Sequence, residues 1–136
     1  MKGITTYLNF DGNCREAMEF YGKCLGGDLR INRFADMPGN LPPDTGDRVM
    51  HAQLTNGART LMASDTMPGM PFQVGNNFSI AIECESIAEI DKLFAVLGEK
   101  GKVGMPLQDT NWGARFGMLT DQFGVRWMFN YEHPKR

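Results

Sequence analysis

The histidines are the first candidates for acid–base chemistry near neutral pH. The sequence contains two histidines, His51 and His133. His51 lies beside Gln53 on the polar side of an alternating segment, where it could act as a general base or hydrogen-bond a ligand. A structural histidine bonded at a sheet face is an equally good interpretation. His133 falls in the polar tail that ends in Lys135 and Arg136, and we expect it to be solvated.

An aromatic and a cationic residue stand close together in a second polar stretch. Trp112 could stack on a planar or apolar ligand, or it could fill an interface between modules or subunits. Arg115 has the planar guanidinium that suits a carboxylate or phosphonate group. The alternative for Arg115 is an ion pair with Asp109 or Asp121.

The three cysteines, Cys14, Cys24 and Cys84, are odd in number and form no Cys-x-x-Cys pair. A disulfide framework or a thiolate zinc site is therefore not expected. Cys14 stands at the start of a predicted helix, a position that can lower a thiol pKa. Ser64 lacks the Gly-x-Ser-x-Gly context of a serine nucleophile.

The composition of the chain argues against several classes of function. The chain has 136 residues, 42% of them hydrophobic, and a net charge of -2, which fits one globular domain. No basic run exceeds Lys135-Arg136, so nucleic acid binding is not expected. No signal peptide and no stretch of about 18 apolar residues is present, so we expect a cytoplasmic protein without a membrane span.

Periodicity predicts two similar series of elements, each a strand, a helix and three further strands. Asn13 is the expected N-cap of the first helix, Gly26-Gly27 its end, and Asn56-Gly57 a hairpin turn. The first series is predicted at 4–10, 14–25, 29–36, 48–55 and 59–64. The second is predicted at 77–84, 86–99, 103–108, 115–120 and 125–131.

This order is an internal β-α-β-β-β repeat, offset by about 73 residues. Each half is too small to bury its own sheet face, so the halves must pair. We predict a single α+β domain with module one at about 1–66 and module two at about 75–132.

Alternation also predicts which side chains face a ligand. The apolar sets must face the helices: Leu8 and Phe10, Met50 and Ala52, Ile80 and Ile82, Trp127 and Phe129. The opposite side then holds a mixed polar and thioether set, with Trp112 and Arg115 near its rim. The predicted ligand-binding residues are Tyr7, Asn9, His51, Gln53, Ser79, Trp112, Arg115, Met128 and Asn130.

Several stretches resemble the vicinal-oxygen-chelate superfamily of glyoxalases, bleomycin resistance proteins and extradiol dioxygenases. Within it the chain resembles the PhnB-like branch, also described as a 3-demethylubiquinone methyltransferase domain. The resemblance rests on Asp11 to Ala17 with Phe20-Tyr21, Met50-His51-Ala52, Ser64-Asp65, Gln108 to Gly117, Thr120-Asp121, Phe123 to Val125, and Trp127. It implies two βαβββ modules forming curved mixed sheets around a cup, helices on the convex side, and a homodimer.

The same resemblance implies where a metal would bind, on the first and last strand of each module. Those positions map to Thr5, Met62, Ser79 and Met128, with Ser64 as the next inward position beside Met62. Hydroxyl and thioether groups are poor ligands for a first-row divalent ion, so we expect no metal and no cofactor.

We therefore expect a PhnB-like protein of unassigned reaction that binds a small molecule without metal. His51 is the candidate catalytic residue. One alternative is a divalent-metal-dependent lyase or dioxygenase-like enzyme. Another is a structural or regulatory partner protein whose cup is vestigial.

Overall fold

The computed structural model describes residues 1–135, which separate into two compact units, Met1–Gln73 and a second unit that begins at Val74. Each unit has the order strand, helix and three strands, so the repeat predicted from the sequence is present. Each unit builds one four-stranded mixed sheet with a helix on one face. The α+β class is confirmed. Among residues 1–135, no helix is long and apolar enough to cross a membrane.

The first unit consists of β1 (Thr6–Phe10), α1 (Cys14–Leu25), β2 (Asp28–Arg33), β3 (Val49–Asn56) and β4 (Arg59–Asp65). A short 3-10 turn, Phe34–Asp36, follows β2. The strands lie in the order β1-β4-β3-β2, and only the β1–β4 pair is parallel.

The second unit consists of β5 (Ile80–Glu83), α2 (Ile87–Leu97), β6 (Lys102–Asp109), β7 (Ala114–Thr120) and β8 (Arg126–Glu132). Its order is β5-β8-β7-β6, with β5 and β8 parallel. β6 pairs irregularly around Met105, as expected of an edge strand that contains Pro106.

The core of each unit lies between the helix and one sheet face. In the first unit Ala17, Met18 and Tyr21 of α1 are fully buried, and Leu8 and Phe10 of β1 are buried with them. In the second unit the rings of Phe94 and Phe129 meet edge to face at 5.2 Å. A Cβ on Gly117 would lie 2.9 Å from the Phe94 ring, so this close approach of helix and sheet requires glycine.

A β-bulge corrects the predicted facing of Met50. The register shifts between Asn32, which is opposite His51, and Arg33, which is opposite Val49. Met50 is the extra residue, and Val49 rather than Met50 is buried with Ala52. A bulge reverses the alternation on one side of itself, which strict period-two counting does not anticipate.

The predicted strand boundaries differ most from the structure at the end of β2 and the start of β5. The second strand ends at Arg33, because a 3-10 turn begins at Phe34. β5 begins at Ile80 and not at the predicted residue 77, so Phe78 lies outside the strand and is 55% exposed. Ser79 likewise precedes the strand.

The cap of α1 comes from a distant residue. Asn13 occupies the N-cap position, but its side chain makes no capping hydrogen bond, so that prediction was wrong. Asp65, buried at the end of β4, accepts hydrogen bonds from the backbone N–H groups of Gly12 (2.8 Å), Cys14 (3.0 Å) and Val49 (2.8 Å). One carboxylate thus joins the start of the helix to the start of β3.

Asp65→Asn should destabilise the protein by about 2–3 kcal/mol, because one of its two acceptor oxygens becomes an NH2 group that cannot accept from a buried backbone N–H. Urea denaturation followed by circular dichroism measures this. Asp47→Asn, the same change at a fully exposed side chain, should leave the midpoint unchanged. Equal midpoints for both variants would contradict the role given to Asp65.

Candidate functional site

A hydrogen-bonded aromatic pair lies on the first sheet, on the face away from α1. The hydroxyl oxygen of Tyr7 in β1 is 3.1 Å from Nδ1 of His51 in β3, and the ring centroids are 5.7 Å apart. Tyr7 is 44% exposed and His51 is half-buried. The pair spans β4 and is accessible from solution within this chain, so a ligand could reach both groups.

This pair belongs to two rows of side chains that cross the whole sheet. Strand register aligns Tyr7, Met62, Gln53 and Arg30 in one row. The same register pairs Asn9 with Ser64 and His51 with Asn32 in the next row. We call these eight residues the polar face. It offers hydroxyl, amide and imidazole groups around one central thioether.

The corresponding face of the second sheet has different chemistry. Register aligns Ala81, Met128, Met118 and Met105 in one row, which forms a strip of methionines. The neighbouring row contains Glu83, Asn130, Phe116 and Gln108, and Asn130 donates a hydrogen bond of 2.9 Å to Glu83. Met side chains adapt their shape to an apolar group.

The predicted ligand-binding residues therefore fall into separate groups. Tyr7, Asn9, His51 and Gln53 come together on the polar face, and Met128 and Asn130 come together in the second unit. Ser79 is half-buried just before β5. Trp112 lies in the turn between β6 and β7 and is 73% exposed.

Arg115 lies on the other side of its sheet. It is opposite Tyr131 in β8, with the same facing as Phe129, and its Nε donates to Asp91 of α2 at 2.9 Å. Arg115 therefore does not lie at the predicted rim beside Met128 and Asn130. It forms an ion pair on the helix side of the sheet instead. The sequence interpretation named Asp109 or Asp121 as partners; Asp109 is more distant, at 3.9 Å.

Sequence reasoning missed two polar contacts in the second unit. His133, expected to be solvated, lies 2.9 Å from Asp109 and contacts the Tyr131 ring. Asp121 is buried and accepts from the backbone N–H groups of Phe123 and Val125 and from the indole N–H of Trp127. For the hydrogen bonds of Asp121, the Asp-x-x-Gly turn at 121–124 was the only signal in the sequence.

The residues at the superfamily's metal positions do not fit a divalent ion. Met62 and Met128 offer thioethers and Ser79 a hydroxyl, which bind zinc, nickel or iron poorly. Within residues 1–135, no three His, Cys, Asp or Glu side chains converge as metal ligands would. His51 has a tyrosine as its partner instead of a carboxylate.

The Cys14 thiol is not an activated nucleophile. Burial, and secondarily the negative charge of Asp65, raises the pKa of Cys14 to about 12. The helix-start position had suggested the opposite direction. Burial also raises the pKa of Cys84 to about 11, with Glu89 and Glu83 acting in the same direction. Neither thiol forms a thiolate at neutral pH.

Comparison with known proteins identifies the family. The profile of the family described as 3-demethylubiquinone-9 3-methyltransferase matches residues 2–129. The chain belongs to this PhnB-like family. Protein YjdN of Escherichia coli strain K12 is 33% identical over 140 residues, with 93% of each chain covered.

Solved structures show the same fold as this PhnB-like chain. Protein PA1353 from Pseudomonas aeruginosa is 46% identical with a TM-score of 0.90, covering 98% of this chain and 100% of that one. A PhnB protein from Bacillus cereus is 32% identical with a TM-score of 0.78, covering 96% and 99%. A glyoxalase/bleomycin resistance protein/dioxygenase from Nocardioides shares the fold at 22% identity, a TM-score of 0.56 and coverage of 100% and 87%.

The raised thiol pKa predicts a loss of stability at alkaline pH. The unfolded chain releases the Cys14 proton near pH 9, the folded chain near pH 12, so folding stability falls as pH rises through this window. Between pH 8.5 and 10 the wild type should lose about 1 kcal/mol more than Cys14→Ala. Denaturant titrations at both pH values measure this, and a pH-independent difference between the two proteins would contradict it.

Proposed function

We propose that this PhnB-like protein binds a small amphipathic molecule on the polar face, without a metal ion. The observation that carries the proposal is the Tyr7–His51 pair, whose 3.1 Å hydrogen bond lies on an accessible sheet face. A sheet face used only for packing would favour apolar residues, because each buried polar group left unpaired costs roughly 1–3 kcal/mol.

Met62 gives this face an apolar centre. It lies between Tyr7 and Gln53 in the row that crosses the sheet. Ligand sites combine an apolar surface with a few polar groups that orient the bound molecule. Tyr7 contributes both, since its ring can stack and its hydroxyl can hydrogen-bond.

Methyl transfer is not part of the proposal. The loop between β1 and α1 contains Gly12, but its backbone N–H is already bonded to Asp65. The backbone N–H groups of Gly12 and Cys14 are therefore not available to a ligand at this loop. Fold membership alone assigns no reaction.

Binding can be tested by NMR on 15N-labelled protein treated with EDTA, using a library of small aromatic and aliphatic compounds. Hits should shift the amides of β1, β3 and β4, and Tyr7→Phe and His51→Ala should each weaken binding about fivefold or more, as expected for one lost hydrogen bond. Addition of zinc or nickel should not improve affinity.

Matched controls exist in the second unit. Tyr131→Phe and His133→Ala make the same changes at an aromatic pair at the end of β8 and just beyond it, and both should bind like the wild type. Hits that bind only after metal addition, or that are equally weakened by the controls, would refute the proposal.

We further propose a homodimer. Large apolar side chains are exposed in the single chain, among them Trp112 (73%), Phe78 (55%) and Val103 (52%). Monomers rarely expose such groups in quantity, and an obligate interface of about 2,000 Å² or more in total would cover them. Light scattering should return twice the chain mass of 15.2 kDa at micromolar concentration; a mass near 15.2 kDa would refute the dimer.

A further inference from the structure

The polar face includes one arginine, Arg30. Arg30 of β2 is opposite Gln53 and completes the row that contains Met62 and Tyr7. Directly opposed residues in antiparallel strands share a face, so the guanidinium of Arg30 belongs to the same surface as the Tyr7–His51 pair.

Arg30 differs from two other arginines of the first unit, because both of those form ion pairs. Arg33 pairs with Asp36 at 3.0 Å, and Arg48 pairs with Asp11 at 2.9 Å. In the part of the chain that the structure describes, Arg30 has no carboxylate within the 4.0 Å limit of an ion pair.

Carboxylates are nearly excluded from this face. Within the four described strands of the first sheet, the one acidic residue that shares it is Asp28, at the first position of β2 opposite Thr55. The rows through Tyr7 and His51 contain none. Arg30 is thus the one lysine or arginine in these two rows.

The Tyr7–His51 pair adds a hydrogen-bond donor to the polar face. If the Tyr7 hydroxyl donates to Nδ1, the neutral imidazole carries its proton on Nε2. If Nδ1–H donates instead, the Tyr7 hydroxyl proton is free to point away from the ring. Either arrangement leaves one donor for a ligand, and Asn32 is opposite His51 in the same row.

We infer that the polar face recognises a carboxylate-bearing amphipathic molecule, with Arg30 binding the carboxylate and Met62 supporting the apolar body. This inference rests on the proposed function and adds the charge of its ligand. A guanidinium binds a carboxylate through two parallel N–H···O bonds. Three strand spacings of about 4.8 Å separate the Arg30 and Tyr7 backbones, so a ligand that reaches both side chains must extend across Met62 and Gln53.

The test compares 2-naphthoate with 2-naphthamide, its uncharged counterpart, on 15N-labelled protein followed by NMR. The carboxylate should bind about tenfold more tightly and shift the amides of β2, β3 and β4. Arg30→Gln should weaken naphthoate binding about fivefold or more and leave naphthamide unchanged. Arg15→Gln removes the same charge from the exposed surface of α1 and should change neither affinity.

The outcomes separate this inference from the proposed function. Equal binding of both compounds at the polar face, or equal effects of the two arginine variants, would overturn the carboxylate inference while the proposed function stands. Tight naphthoate binding that Arg30→Gln does not weaken would also overturn it. Absence of binding by both compounds at millimolar concentration, or amide shifts confined to other surfaces, would overturn both.

Discussion

The buried carboxylate of Asp65 holds the first unit together, because it satisfies backbone N–H groups from three places in the chain at once. The first N–H groups of a helix have no partner inside the helix, and α1 begins in a buried position. By accepting from Cys14 and Val49, Asp65 fixes α1 against the start of β3. Beside it, Arg48 bonds Asp11 and the carbonyl of Thr66, and this contact lowers the pKa of Asp11.

The second unit has the same topology but uses a different clamp. Asp121 lies in the turn after β7, where it accepts two backbone N–H groups and the indole N–H of Trp127. Its helix is capped locally, by the Ser86 side chain accepting from Glu89. The two units thus share element order and strand pairing, whereas different polar contacts stabilise each unit.

The two sheets also differ in the side chains that they carry on the face away from the helix. Strand register places Tyr7, Met62, Gln53 and Arg30 in one row of the first sheet and a methionine strip in the second. Both rows contain a methionine on the strand beside the first, Met62 or Met128, whereas the next two strands carry Gln53 and Arg30 in one unit and methionines in the other. The two units share a backbone topology, and their side chains decide what each sheet face can bind.

The sequence by itself determined the class, the βαβββ repeat and the facing of most strands, because alternation and helical periodicity are local properties that burial enforces. It also brought His51 and Tyr7 to the same side of the sheet. Tertiary structure alone decided the cap of α1, since the acceptor lies 51 residues from Cys14. It likewise decided the bulge at Met50 and the Arg115–Asp91 pair. Such contacts depend on strand register and on side chains that meet only after the chain has folded, and no local pattern encodes them.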